Sequence, residues 1–249
     1  MDHGQGQTLP VDAGQTRPTY EEVAQVVEYP LLHPTITDDD VIRACRLARE
    51  YRFAALLVRP TDIELTARHL GTTETAIASP VGFPDGMPAT AAKLYEGRDL
   101  LRRGAQEIDF TLNIGKMLSR QFQYVEMELL QMAKSCMESG AKLKVDLGAR
   151  FLNRDLKIIA LKICKRVEAN YCGIEANQAD LGLLQPLLKE RIEIKIVSNI
   201  PTLDDVLSLR NAGATRMAST HAAQILDDWK GRLAAAEQTS TGSGQPSVT

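Results

Sequence analysis

Short apolar runs alternate with stretches of helical spacing along most of the chain. The runs are AQVVEYPLL (24–32), FAALLV (53–58), TAIASPVGF (75–83) and QEIDFTLNI (106–114), then KLKVDLG (142–148), ANYCGIEA (169–176), IEIKIVS (192–198) and ATRMAST (214–220). Each is followed by a segment in which apolar residues recur every three to four positions, the pattern of βαβ units on a parallel sheet. Helix signals agree. Thr37 before Asp38, Asp39 and Asp40, and Thr202 before Leu203, Asp204 and Asp205, supply an oxygen cap and an acidic first turn. Gly104 and the glycine of NAGAT stop helices just before strands. Eight such units, with no GxGxxG turn and no block of different character, predict one α/β domain, a closed (β/α)8 TIM barrel. Its ligand site belongs at the C-terminal ends of the strands. Residues 20–236 are the expected barrel. Residues 1–19 and 237–249 are polar and rich in small residues, and are expected to be disordered tails.

Strands of a parallel barrel are buried on both faces, so charged residues inside them are rare. Six occur here across five strands: Glu28, Asp109, Lys144, Asp146, Glu175 and Lys195. Lys144 and Asp146 are two apart and share a face. Pointed into the barrel mouth, these residues form a mixed cluster of lysine and carboxylate in which pKa values shift. Such a cluster suits carbonyl chemistry or ligand binding, or else is a buried salt-bridge network. Lys142 and Glu193 are expected to snorkel outward.

Composition narrows the classes. The formal net charge of -3 offers no basic face for nucleic acid. No stretch reaches transmembrane length and the N-terminus has no apolar signal core, so a cytoplasmic protein is expected. Cys45, Cys136, Cys164 and Cys172 lie in apolar surroundings without a CxxC pair and read as buried free thiols. No metal-ligand motif is evident, and no cofactor is expected. YVEMELLQMAKSCMESG (124–140) carries Met and Leu at helical spacing and reads as core packing rather than a partner surface.

Several segments together resemble the deoxyribose-phosphate aldolase family over about residues 22–230. They are VVEYPLLHPTITDDDV, FAALLVRP, VGFPDGMPAT, GAQEIDFTLNIG, LKVD and NAGATRM. The resemblance implies a (β/α)8 barrel, a Schiff-base lysine without a metal, cleavage of 2-deoxy-D-ribose 5-phosphate to glyceraldehyde 3-phosphate and acetaldehyde, and a homodimer. It places Asp109 at the family's catalytic Asp and Glu28 at its first-strand Asp. Lys144 falls at the strand-five lysine and Lys195 at the second active-site lysine. His33 and Arg59 stand where the family has Lys and Asn, while Gly82, Phe83 and Pro84 are kept. The departures lie at the family's most chemical positions. Gly173 takes the place of the Schiff-base lysine, Ser198 and Asn199 replace a Gly-Gly pair, and Pro201 replaces Arg. The last phosphate-loop residues become Thr220, His221 and Ala222 after Ser219.

The substrate is therefore expected to be a small carbonyl compound or sugar phosphate. Arg59, Phe83, Ser198, Asn199, Ser219, Thr220 and His221 are the candidate binding residues. Three readings stay open. Lys144 or Lys195 forms an imine, with Asp109 or Asp146 moving protons. Alternatively, the lysines stabilise an enolate or oxyanion electrostatically, with Glu175 or Asp146 as base. In the third, the barrel binds a ligand or partner without catalysis.

Overall fold

The computed structural model describes residues 17–176, 178–188 and 192–241. Eight parallel strands close into a barrel in chain order. They are β1 (Val27–Leu31), β2 (Ala55–Val58), β3 (Ala76–Val81), β4 (Glu107–Thr111), β5 (Lys142–Asp146), β6 (Tyr171–Ile174), β7 (Glu193–Ile196) and β8 (Ala214–Ala218). Each falls inside one of the eight apolar runs. The helices are α1 (Tyr20–Ala24), α2 (Asp38–Tyr51), α3 (Ile63–Leu70), α4 (Thr90–Arg102) and α5 (Ile114–Leu118), then α6 (Phe122–Glu138), α7 (Arg154–Arg166), α8 (Gln178–Leu188), α9 (Leu203–Asn211) and α10 (Ala222–Thr241).

The expected caps are in place. Thr37 accepts a hydrogen bond from the Asp40 amide while Asp40 accepts one from the Thr37 amide, a capping box. Thr202 caps α9. Two features differ from expectation. The helix α10 runs through Thr241, past the predicted domain limit at 236; the rest of that tail, like residues 1–16, lies outside the described residues. In α6, Val125, Leu129, Met132 and Cys136 face the core, but Met127, Leu130 and Met137 are exposed, so the apolar spacing there is only partly core packing. All four cysteines are buried free thiols. Among the described residues, no helix is long and apolar enough to cross a membrane.

The two faces of each strand do different work. Outward residues such as Leu56, Ile108, Phe110, Val145, Cys172, Ile174 and Ile196 pack with helix residues into one core. Inward residues divide the barrel interior. On β2 and β3 they are small and apolar: Ala55, Leu57 and Ala78 form a separate cluster. On β1, β4, β5, β7 and β8 they are charged. The register sets Asp109 beside Lys144, Thr111 beside Asp146, Gly173 between Asp146 and Lys195, and Lys195 beside Arg216.

The loop after β3 carries Phe83 to the barrel mouth and turns at Gly86, whose φ is +70°. A Cβ at Gly86 would stand 2.0 Å from the Leu112 carbonyl oxygen. Gly86→Ala therefore meets both backbone strain and an immovable neighbour, and is expected to destabilise by about 2–4 kcal/mol in urea unfolding. Gly71, also at positive φ but with open space around its Cβ position, is the control and is expected to respond less.

Candidate active site

Six ionisable side chains meet inside the barrel: the carboxylates of Glu28, Glu107 and Asp109, and the cations of Lys144, Lys195 and Arg216. The charges balance, three against three. Lys144 Nζ lies 2.6 Å from Glu28 Oε2, 2.9 Å from Glu107 Oε2 and 2.8 Å from Asp109 Oδ1. Lys195 Nζ donates to Glu28 and to Asp109. Arg216 makes two bonds to Glu107, at 3.0 and 3.2 Å, and donates to the Tyr171 hydroxyl at 3.3 Å. Glu28, Lys144 and Lys195 are almost wholly shielded from water, at 0, 1 and 2% exposure. Isolated charges at such depth would be prohibitive, and mutual pairing is what keeps them ionised.

The pKa directions follow from this pairing. Burial alone would raise the Glu28 carboxyl, but Lys144, Lys195 and Arg216 outweigh it and hold Glu28 well below the usual carboxylate range. Burial alone would lower Lys144, but Asp109, Glu28 and Glu107 together lift it above an ordinary lysine. The expected cluster is present, yet its carboxylates dominate Lys144 rather than a neighbouring cation.

Above this layer is a pocket of about 310 Å³ at the C-terminal end of the barrel. Asp109, Lys144, Asp146, Gly173 and Lys195 line its floor and one wall. Pro30, Leu57, Pro80, Phe83 and Val197 give it an apolar side, and Asn199 stands at its rim. Asp146 accepts a hydrogen bond from the Gly148 amide at 2.9 Å. Burial, and then the charge of Glu175, push Asp146 up to about 6 despite that bond. That value places Asp146 to exchange a proton near neutral pH.

That shift has a consequence for stability. The folded state holds the Asp146 proton more tightly than the unfolded chain, so its favourable contribution is complete below about pH 4 and is lost as pH rises through about 6. Asp146→Asn lacks this loss and can still accept from Gly148. It is expected to gain up to about 2 kcal/mol over the wild type at pH 8, and much less at pH 4.5. Urea unfolding at the two pH values measures the difference, and an equal effect at both would exclude the assignment.

The other candidate residues lie at the rim or beyond it. Glu175 sits past the end of β6, 3.6 Å from Arg150, with one buried carboxylate oxygen lacking a hydrogen-bond partner among the described residues. Arg59 donates to Asp62 at 2.7 Å and to the Pro34 carbonyl, so it braces the loop after β2. His33 is engaged with Thr35. Ser219 is buried, donates to the Ile200 carbonyl and accepts from the His221 amide at 3.0 Å. Thr220 and His221 are exposed beside it. Ser198 Oγ accepts from the Ala176 amide, and Asn199 Oδ1 accepts from the Thr220 amide and hydroxyl. Lys142 and Glu193 are exposed, as expected, but not by facing away: each is two residues before an inward lysine and emerges at the opposite mouth.

Glu107, Tyr171 and Arg216 were not among the sequence candidates. Glu107 carries a parity signal, two before Asp109, whereas Arg216 is placed only by its register with Lys195.

No protein-family model matches the chain. Curated relatives do. The chain is 30% identical over 212 residues to deoxyribose-phosphate aldolase 2 of Oceanobacillus iheyensis, covering 82% of this chain and 94% of the relative. It is 28% identical over 216 residues to the deoxyribose-phosphate aldolase of Caldanaerobacter subterraneus subsp. tengcongensis, covering 84% and 94%. Among solved structures, the deoxyribose phosphate aldolase of Aeropyrum pernix, described as a tetramer, superposes with a TM-score of 0.75 at 24% identity, over 85% of this chain and 92% of that one. That superposition supports the barrel, and the Oceanobacillus relative, matched over nearly its whole length, carries the assignment: the chain belongs to the deoxyribose-phosphate aldolase family.

Proposed function

We propose that the protein is an aldolase-type lyase that makes or breaks a C–C bond next to the carbonyl of a small aldehyde or sugar, with Lys195 as the group that meets the carbonyl. The observation that carries this reading is the position of Lys195: on the floor of the pocket, in contact with Asp109, with Asp146 in the same wall. At Gly173, which the resemblance puts at the family's lysine position, a side chain has little room, because its Cβ would stand 2.8 Å from Val197 Cγ1. Lys144, held as an ammonium by three carboxylates, is the electrostatic partner rather than the nucleophile.

The chemistry follows from the charge balance. Lys195 passes a proton to Asp109, which leaves two carboxylates facing two cations, so the buried network stays neutral. The free amine adds to the carbonyl carbon, and Asp109 returns its proton to the carbinolamine hydroxyl, which leaves as water and gives an iminium. The iminium accepts the electron pair of the bond between the α and β carbons as that bond breaks, the pair becoming the enamine double bond, while the hydroxyl on the β carbon gives its proton to Asp146. Asp146 gives that proton to the enamine carbon, and water adds to the new iminium, releasing the product and restoring the amine as Asp109 takes up the freed proton. Condensation is the reverse. Positioning of these groups supplies much of the acceleration.

A second reading has its own support. The ammonium group of Lys195, in contact with Glu28 and Asp109, would hydrogen-bond the carbonyl oxygen and stabilise an enolate without a covalent bond. Exchange of acetaldehyde methyl protons in D2O tests both at once. Either lyase reading predicts exchange that the Lys195→Met variant lacks, and no exchange would point to the binding-only role.

A further inference from the structure

We propose that the site selects carbonyl substrates without a phosphate group, and that Ser198 and Asn199 are the residues that enforce this choice. The proposal rests on the lyase reading above and names its substrate class. In (β/α)8 barrels the loops after strands seven and eight commonly cradle phosphate through free backbone amides. Here two amides of the loop after β8, and one of the loop after β6, are taken up by the chain's own side chains. Asn199 Oδ1 accepts from the Thr220 amide at 2.7 Å, and Ser219 Oγ accepts from the His221 amide at 3.0 Å. From the neighbouring loop, Ser198 Oγ accepts from the Ala176 amide at 2.9 Å. An incoming phosphate would have to displace these oxygens to reach the three amides.

Charge points the same way. Residues 197–202 and 219–222 contain no Lys or Arg. The lysines that line the pocket, Lys144 and Lys195, are neutralised by the buried carboxylates. Arg150 reaches the rim from the loop after β5, where it stacks on Phe151 at 4.6 Å and faces Glu175. The pocket's volume of about 310 Å³ and its wall of Pro30, Leu32, Leu57, Pro80, Phe83 and Val197 suit a short aldehyde with an uncharged tail.

The test has a binding arm and a turnover arm. Inorganic phosphate is titrated into the full chain while the amide resonances of Ala176 and Thr220 are followed by NMR. The wild type is expected to show no saturable shift at millimolar phosphate. Ser198→Gly/Asn199→Gly is expected to gain one, as is Asn199→Gly alone, which keeps one cap should the double variant fold poorly. In turnover, the wild type is expected to favour 2-deoxyribose over its 5-phosphate by at least about tenfold in kcat/KM. Saturable phosphate binding by the wild type at these amides, a preference for the 5-phosphate, or folded variants that gain no phosphate binding would each overturn the proposal. Turnover of neither sugar, beside a phosphate-blind wild type and phosphate-binding variants, would sink the lyase reading while leaving phosphate exclusion supported.

Discussion

Lys195→Arg is expected to lower turnover by at least about a thousandfold while the protein stays folded. Arginine keeps the positive charge that Glu28 and Asp109 require, so the network remains balanced. Its guanidinium does not give up a proton and cannot form the imine. The extra volume costs about 1–3 kcal/mol of stability, a structural effect separable from the chemical one. The same variant divides the two lyase readings. If Lys195 works as a cation that polarises the carbonyl, arginine retains a measurable fraction of activity, because it still donates hydrogen bonds. Steady-state rates on the variant, with circular dichroism to confirm folding, decide between them.

Lys144→Met is expected to destabilise the barrel by about 3–5 kcal/mol. The lysine is fully buried and touches three carboxylates. Without it, Glu28, Glu107 and Asp109 face only Lys195 and Arg216, and one negative charge is stranded in a dry interior. Adding Glu107→Gln to the Lys144→Met variant restores the balance and is expected to recover a large part of the loss. Lys142→Met, on the same strand but exposed, is expected to stay within about 0.5 kcal/mol of the wild type. Urea midpoints with unchanged slopes measure all three, and equal responses at positions 142 and 144 would mean that the network does not hold the interior together.

The barrel was legible because its signals are local. Each strand is a short apolar run ended by turn chemistry, and eight in a row leave few alternatives. Much of the charged cluster was legible for a related reason: Asp109, Lys144 and Lys195 interrupt strands that otherwise tolerate no charge. Glu107 and Arg216 were harder to see. They lie one layer deeper, and Glu107 reads as the polar edge of its run until register sets it beneath Asp109. The rim was hardest. Arg59, His33 and Ser219 carry groups suited to a ligand, but loop geometry turns them onto neighbouring loop groups, and spacing along the chain says nothing of that. The outward Met127, Leu130 and Met137 show the same limit, since helical spacing reports a stripe and not what the stripe faces.

The raised Lys144 and the depressed Glu28 show how this interior differs from a site built around one strongly perturbed amine. Lys144 serves by staying charged. Lys195 shares two of the same carboxylates, and its proton can pass to Asp109 without changing the net charge of the group.

Borohydride reduction in the presence of acetaldehyde, followed by peptide mapping, addresses the role of Lys195 most directly. The expected result is a single reduced adduct on Lys195, lost in Lys195→Arg. An adduct on Lys144, or turnover with no adduct on any lysine, would contradict Lys195 as the imine-forming residue.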